Sequence, residues 1–205
     1  MIEIIQNVKL LFMRIFISIL VLILSLQAWT KADDISDFEI EGISIGDSLL
    51  DYFSKNQIKK KSVSDYKDKT FTRVDLKFKN AKTYEHFQFH YKTNDNNFII
   101  HMFSAGNFLE DSDDCLNQMF EIDDNLMNNF SGIDREKKKE TNHPSDPDAK
   151  INSIYYYFPS GGGFRVSCFD WSEKMLTKNN WHDHIKVSGF TEEILQWFIN
   201  DAYKN

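Results

Sequence analysis

Ile15 to Leu26 is a run of twelve residues with no charge and only two serines, preceded by Met13-Arg14 and followed by the small residues Thr30 and Ala32. It is short for a bilayer span, which takes about 20 apolar residues. It has the length and flanks of a secretory signal peptide core. Residues 1–32 are therefore expected to be a signal peptide, with 33–205 as a single domain; a start at Met13 would give a more ordinary signal and leave residues 1–12 spurious. This run constrains the fold because an exported chain folds under oxidising conditions, where an even number of cysteines favours pairing.

The chain has two cysteines, Cys115 and Cys168. Cys115, Met119, Ile122, Leu126 and Phe130 recur at helical spacing, which puts Cys115 on the buried stripe of a helix. Phe164, Val166 and Cys168 alternate with Arg165 and Ser167, so Cys168 points from a strand into the core. A Cys115–Cys168 disulfide joining helix to sheet is the expectation, contributing about 3–4 kcal/mol.

The remaining pattern is strand-rich. Residues 38–45 alternate like a half-exposed strand, and Gly46-Asp47-Ser48 leads into a helix ending at Lys59-Lys60-Lys61, with Leu49, Leu50, Phe53 and Ile58 inward. Strands near 71–79, 84–92 and 97–104 are joined by short polar turns. A long helix covers about 111–130, with Asp111, Asp113 and Asp114 in its first turn. Residues 131–150 are charged, contain Pro144 and Pro147, and lack an apolar period, which predicts a mobile loop. Residues 154–158 and 164–170 form a hairpin. A short helix near 172–178, a strand near 183–188 and a helix capped by Thr191 follow; the last should bury Ile194, Leu195, Phe198, Ile199 and Ala202. Strands on short turns interrupted by helices define an α+β domain, a mainly antiparallel sheet with helices packed on one face.

Without residues 1–32 the chain carries 21 basic and 30 acidic side chains, a net charge of −9. This acidity argues against nucleic acid as a partner, and against a membrane surface once the signal is cleaved.

Gly46-Asp47-Ser48-Leu49 resembles the signature of the GDSL hydrolases, whose nucleophile would be Ser48, with His182 or His184 as the base. Three residues before these histidines stand Asn179 and Trp181, not the aspartate of the family's Asp-x-x-His. Gly-Asp-Ser before an apolar run is equally ordinary helix-capping chemistry. A second candidate is a metal site for zinc or copper. With an even-numbered turn, His90 faces His101, and His86, Gln88, His90 and His101 share one sheet face; a slip of one residue breaks the set. His182-Asp183-His184 is a weaker pair. Tyr155-Tyr156-Tyr157, Trp171 and Trp181 make an aromatic-rich region where alternate tyrosines point outward.

Phe38 to Phe53, together with Asp114-Cys115-Leu116 and the Glu121-Ile122 region, resembles uncharacterised exported proteins of AT-rich marine alphaproteobacteria. The resemblance implies a compartment and no activity. The leading expectation is a soluble periplasmic or secreted protein without a catalytic constellation or cofactor, binding a protein or small molecule through its sheet face or the 131–150 segment. The alternatives are a serine esterase using Ser48 and a periplasmic metal-binding protein using His86, His90 and His101.

Overall fold

The computed structural model describes residues 34–64, 66–79, 81–109, 112–130, 132–143, 146–179 and 181–204. The expected signal peptide over 1–32 lies outside the described residues.

The chain from Phe38 to Ile45 is a tight hairpin where a single strand was expected. Strand β1 (Glu39–Ile40) pairs with β2 (Ile43–Ser44). Glu41 and Gly42 between them have φ of 56° and 80°. Positive φ at both central residues is the hairpin turn whose twist matches its strands. The helix expected over 47–61 is also divided. A 3-10 turn covers Leu49–Asp51, capped by Ser48, and helix α1 covers Lys55–Lys61. Ser54 is the true cap of α1: its hydroxyl accepts from Gln57 N–H while the Gln57 side chain accepts from Ser54 N–H. This reciprocal Ser-x-x-Gln bonding fixes an extended Ser54 and interrupts the helix.

Eight strands form one antiparallel sheet in the order β3-β4-β5-β6-β10-β9-β8-β7. They are β3 (Ser62–Val63), β4 (Phe71–Leu76), β5 (His86–Lys92), β6 (Met102–Phe108), β7 (Asp134–His143), β8 (Asp146–Tyr157), β9 (Gly163–Asp170) and β10 (His184–Phe190). Each run β3–β6 and β7–β10 is a meander, and the two meet where β10 pairs with β6. Helix α2 (Ser112–Asn129) carries the chain from central β6 to edge strand β7, lying against β9 and β10. Cys115 near its start is disulfide-bonded to Cys168 on β9, with Cα atoms 5.8 Å apart. The architecture is the expected α+β class.

Residues 134–143 and 146–157 are strands, correcting the expected loop over 131–150. The charges of Asp134 to Lys137 on β7 alternate in a way that a search for apolar periodicity misses. Arg135 Nε donates to Asp123 on α2 at 2.8 Å, and Lys137 lies 4.4 Å above the Phe120 ring. Between Lys138 and Thr141 the pairing with β8 is bulged. A charged, bulged strand is a usual way to finish a sheet edge.

The first face of the sheet holds the main core. Val74, Phe87, Phe89, Phe103, Val166, Ile185 and Val187 are buried there, with Ile58 of α1 and Met119 of α2 against them. Phe38 stacks on Phe164 at 4.5 Å and on Phe103 at 5.9 Å. Gly189 makes room for it, since a Cβ there would lie 3.1 Å from the Phe38 ring. Helix α4 (Glu192–Asn200), capped by Thr191 as expected, packs elsewhere, with Phe71, Met102 and Phe190. These three residues belong to the opposite alternation on their strands, so α4 covers one end of the second face. Helices therefore lie on both faces, not on one. Trp197 is buried in α4 while Ile199 is 63 % exposed, reversing the expected inward position of Ile199. The cause is Trp197 packing on Phe71 at 5.0 Å while its indole N–H donates to Asp68 at 2.6 Å. Helix α3 (Glu173–Asn179) precedes β10.

Candidate functional site

Strand register places the second-face side chains in rows across the sheet. Nearest α4 runs a largely apolar row, from Arg73 and His90 through Met102 and Phe190 to Tyr157. The next row is polar throughout: Asp75, Gln88, Ser104, Ser188, Arg165 and Tyr155. The third, His86, Gly106, Lys186, Ser167 and Ser153, is polar too. The fourth turns aromatic, with Phe108, His184 and Phe169.

The polar rows are internally bonded. Gln88 donates to Asp75 at 2.9 Å, Ser104 and Ser188 hydroxyls lie 2.8 Å apart, and so do those of Ser153 and Ser167. Arg165 donates to the Tyr155 hydroxyl at 3.2 Å. All four serines are buried. Arg73 pairs with Asp75 at 3.3 Å. Burial lowers the Lys186 pKa to about 8, the nearby Arg165 and Arg73 adding to the effect and Asp75 opposing it.

These rows line a cleft of about 840 Å³ over the β4–β6 and β10 strands that extends to Lys60 and Lys61 of helix α1. Its second-face lining includes Gln88, Ser104, Gly106, Lys186 and Phe108, and the lining also takes in the first-face residues Phe53, Leu76 and Phe87. Lys60 and Lys61 from α1, with Lys77 and Lys79 following β4, stand at its margin; Asp75 and Glu85 are the carboxylates. The cleft has the size and mixed lining of a small-molecule site.

At the far end lies an aromatic shelf. His86 contacts Phe108 at 4.0 Å, Phe108 contacts His182 at 5.2 Å, and His184 stacks on Phe169 at 4.5 Å. Trp171 then touches both Trp181 at 4.5 Å and His143 at 4.7 Å. Burial lowers the His184 pKa to about 4, so it is neutral near pH 7. Tyr155 and Tyr157 point to this second face and stack on each other at 6.0 Å, while Tyr156 is buried on the first.

The esterase constellation does not come together. Ser48 donates to the Asn97 carbonyl at 2.6 Å and accepts from Leu50 N–H at 3.1 Å, so both hydrogen bonds of its hydroxyl go to backbone. It bridges to Ile99, before β6, whereas His184 pairs with Phe108 at the end of β6. They are separated by the length of that strand, on the order of 20 Å. The motif has a structural role instead. Gly46 takes φ 93°, Asp47 accepts from Ser44 N–H at 2.8 Å and from the Tyr52 hydroxyl at 2.6 Å, and Ser48 caps the next turn.

The histidines proposed for metal occupy three different environments. His90 pairs with Met102, not with His101, a one-residue difference from the expected register. His90 is buried, its Nε2 bonded to the Tyr66 hydroxyl at 2.8 Å, and burial lowers its pKa to about 3. Its Nδ1 is buried without a hydrogen-bond partner among the described residues. Because a stranded N–H costs more than a stranded lone pair, Nε2 carries the proton and donates to Tyr66. His101 lies against Phe71 at 5.2 Å, its Nδ1 3.6 Å from Glu193. His86 belongs to the aromatic shelf. Among the described residues no three His, Cys, Asp or Glu side chains are arranged to hold a metal ion. Asp123, further along α2, bonds Tyr156 and Arg135.

Sequence reasoning missed Lys186, Arg73, Arg165 and the serine pairs. The alternation Arg73-Asp75, Arg165-Ser167 and Lys186-Ser188 marks one face of each strand as polar. Only the strand order puts these faces side by side.

No family model matches the chain, and neither does any curated protein or solved structure. Among the described residues no helix is long and apolar enough to cross a membrane, and the disulfide fits an oxidising compartment outside the cytoplasm.

Proposed function

We propose that this chain is a non-catalytic periplasmic or secreted domain that binds a small molecule in the second-face cleft. The observation that supports it is the pair of polar rows across the central strands, opening into a cleft bordered at one end by Phe108 and His184. A sheet face serving only stability would be apolar or fully solvated; four buried serines beside a lysine are neither. The Ser48 hydroxyl is bonded to backbone, and this favours binding over ester cleavage.

The test is expression of the full chain with cell fractionation, followed by lysine-modification footprinting in the presence of a metabolite extract. Recovery from the periplasm or medium with an N-terminus near Asp33, and saturable protection of Lys186, is the expected result. Ester turnover that disappears in Ser48→Ala, or modification of Lys186 indifferent to every extract fraction, would overturn it.

A further inference from the structure

We propose that the cleft selects an amphipathic anion, a single carboxylate on a flat apolar body, by pairing it with Lys186. This rests on the reading of the cleft as a ligand site and names what that site takes.

Lys186 lies in the cleft floor, half-buried, and among the described residues its ammonium has neither a hydrogen bond nor an ion pair. Arg165 and Arg73, which act on it electrostatically, share its sign. Asp75, the carboxylate nearest to it in the row pattern, already accepts a hydrogen bond from Gln88 at 2.9 Å and is ion-paired with Arg73 at 3.3 Å. A partly desolvated cation whose nearest carboxylate is shared with another cation is unfavourable, and a bound carboxylate relieves it.

The surroundings favour the same charge. The whole chain has a net charge of −7, yet Lys60, Lys61, Lys77 and Lys79 gather at this margin, so the local field attracts anions. Asp75 and Glu85 line the same cleft, which disfavours a polyphosphate and suits one negative group.

Space and walls define the rest of the ligand. Gly106 stands between His86 and Lys186 in its row, and a Cβ there would come 2.6 Å from the Ile185 carbonyl oxygen. The close pairing of β6 and β10 therefore keeps this position without a side chain and leaves room above the floor. Phe108, 45 % exposed, and the His86 ring 4.0 Å from it offer ring surface at the end of the floor, suited to a flat apolar group.

The experiment is calorimetric titration of the purified chain with 2-naphthoate and with its neutral analogue 2-naphthylmethanol. The carboxylate should bind about tenfold more tightly, a difference of about 1.4 kcal/mol. Lys186→Met should abolish that difference, while Lys186→Arg retains the preference. Lys60→Gln/Lys61→Gln, at an exposed margin, should weaken 2-naphthoate alone and reduce its salt dependence, a result obtainable even if Lys186→Met fails to fold. Equal binding of both probes, or a preference that survives Lys186→Met, overturns the anion selection while leaving the cleft as a binding site. Failure of both probes to bind overturns the inference and the cleft reading together.

Discussion

Along β9, Phe164, Val166 and Cys168 face one way and Arg165 and Ser167 the other. On the first side Phe164 is fully buried between Phe38 at 4.5 Å and Tyr156 at 4.4 Å, and Cys168 is bonded to helix α2. On the second, Ser167 is equally buried but meets the Ser153 hydroxyl, and Arg165 meets Tyr155. The backbone is common to both faces, so the difference lies in what the side chains gain from leaving water. Aromatic burial on the first face drives folding. Hydroxyl pairs on the second only recover what their desolvation costs. A face that adds so little to stability while remaining buried is the natural place for recognition.

If that division of labour holds, the largest losses belong to the first face. Phe164→Ala should lower unfolding stability by about 4 kcal/mol, since it leaves a cavity within an aromatic stack. The double variant Cys115→Ala/Cys168→Ala, which opens a loop of 53 residues' separation, should cost about 4 kcal/mol as well. Urea denaturation of the oxidised chain checks both. A loss below about 1 kcal/mol for Phe164→Ala would break the comparison at its strongest point.

The next effect lies where the first face meets helix α2. Asp123 is buried and accepts from the Tyr156 hydroxyl at 2.5 Å and from Arg135. Burial alone would raise its pKa, but the Arg135 and Tyr156 hydrogen bonds prevail and hold it below the ordinary carboxylate value. Asp123→Ala strands Tyr156 and Arg135 and should cost about 3 kcal/mol. Because the folded pKa is depressed, the contribution of Asp123 is complete above about pH 4 and disappears as pH falls through the folded value. Asp123→Asn should therefore flatten the acid limb of a stability–pH curve, and an unchanged limb would remove Asp123 from this role.

His90 provides a pH-dependent contrast on the second face. With its pKa lowered to about 3 in the fold, the unfolded chain binds the proton first. Stability then decreases as pH falls below about 6.5, by up to about 1.4 kcal/mol per pH unit until the folded value is reached. His184, lowered to about 4, acts in the same direction. Between pH 7 and pH 5, His90→Gln should reduce the measured loss by about 2 kcal/mol. A loss of the same size in the variant would mean that His90 is protonated without penalty.

These contrasts also explain what the sequence made legible. The disulfide, the crossover helix, the 154–170 hairpin and the Thr191 cap all rest on local periodicity or a single capping residue, and the structure contains them. The Glu41-Gly42 turn and the Ser54 cap were local signals passed over; the other failures share one cause, pairing that is not local. The segment at 134–143 becomes a strand because Arg135 and Lys137 reach α2. His90 and His101 separate through a one-residue register difference. The cleft was hidden for the same reason: Lys186, Gly106 and His86 come from three strands whose adjacency depends on β10 inserting beside β6.

The smallest expected effect probes the comparison most finely. Ser153 and Ser167 lie 2.8 Å apart on adjacent strands, both buried. Ser167→Ala alone leaves the Ser153 hydroxyl without its partner and should cost about 1 kcal/mol. Adding Ser153→Ala removes the stranded group, so the double variant should recover most of that loss, giving a coupling of about 0.5–1 kcal/mol in a double-mutant cycle. The same cycle on a first-face pair, Val166→Ala with Ile154→Ala, should show the opposite pattern, because each truncation deletes packing that the other cannot restore. Recovery on one face and accumulation on the other would establish that the second face holds its polar groups in balance without adding net stability. Accumulating losses on both faces would mean that the serine rows are part of the core.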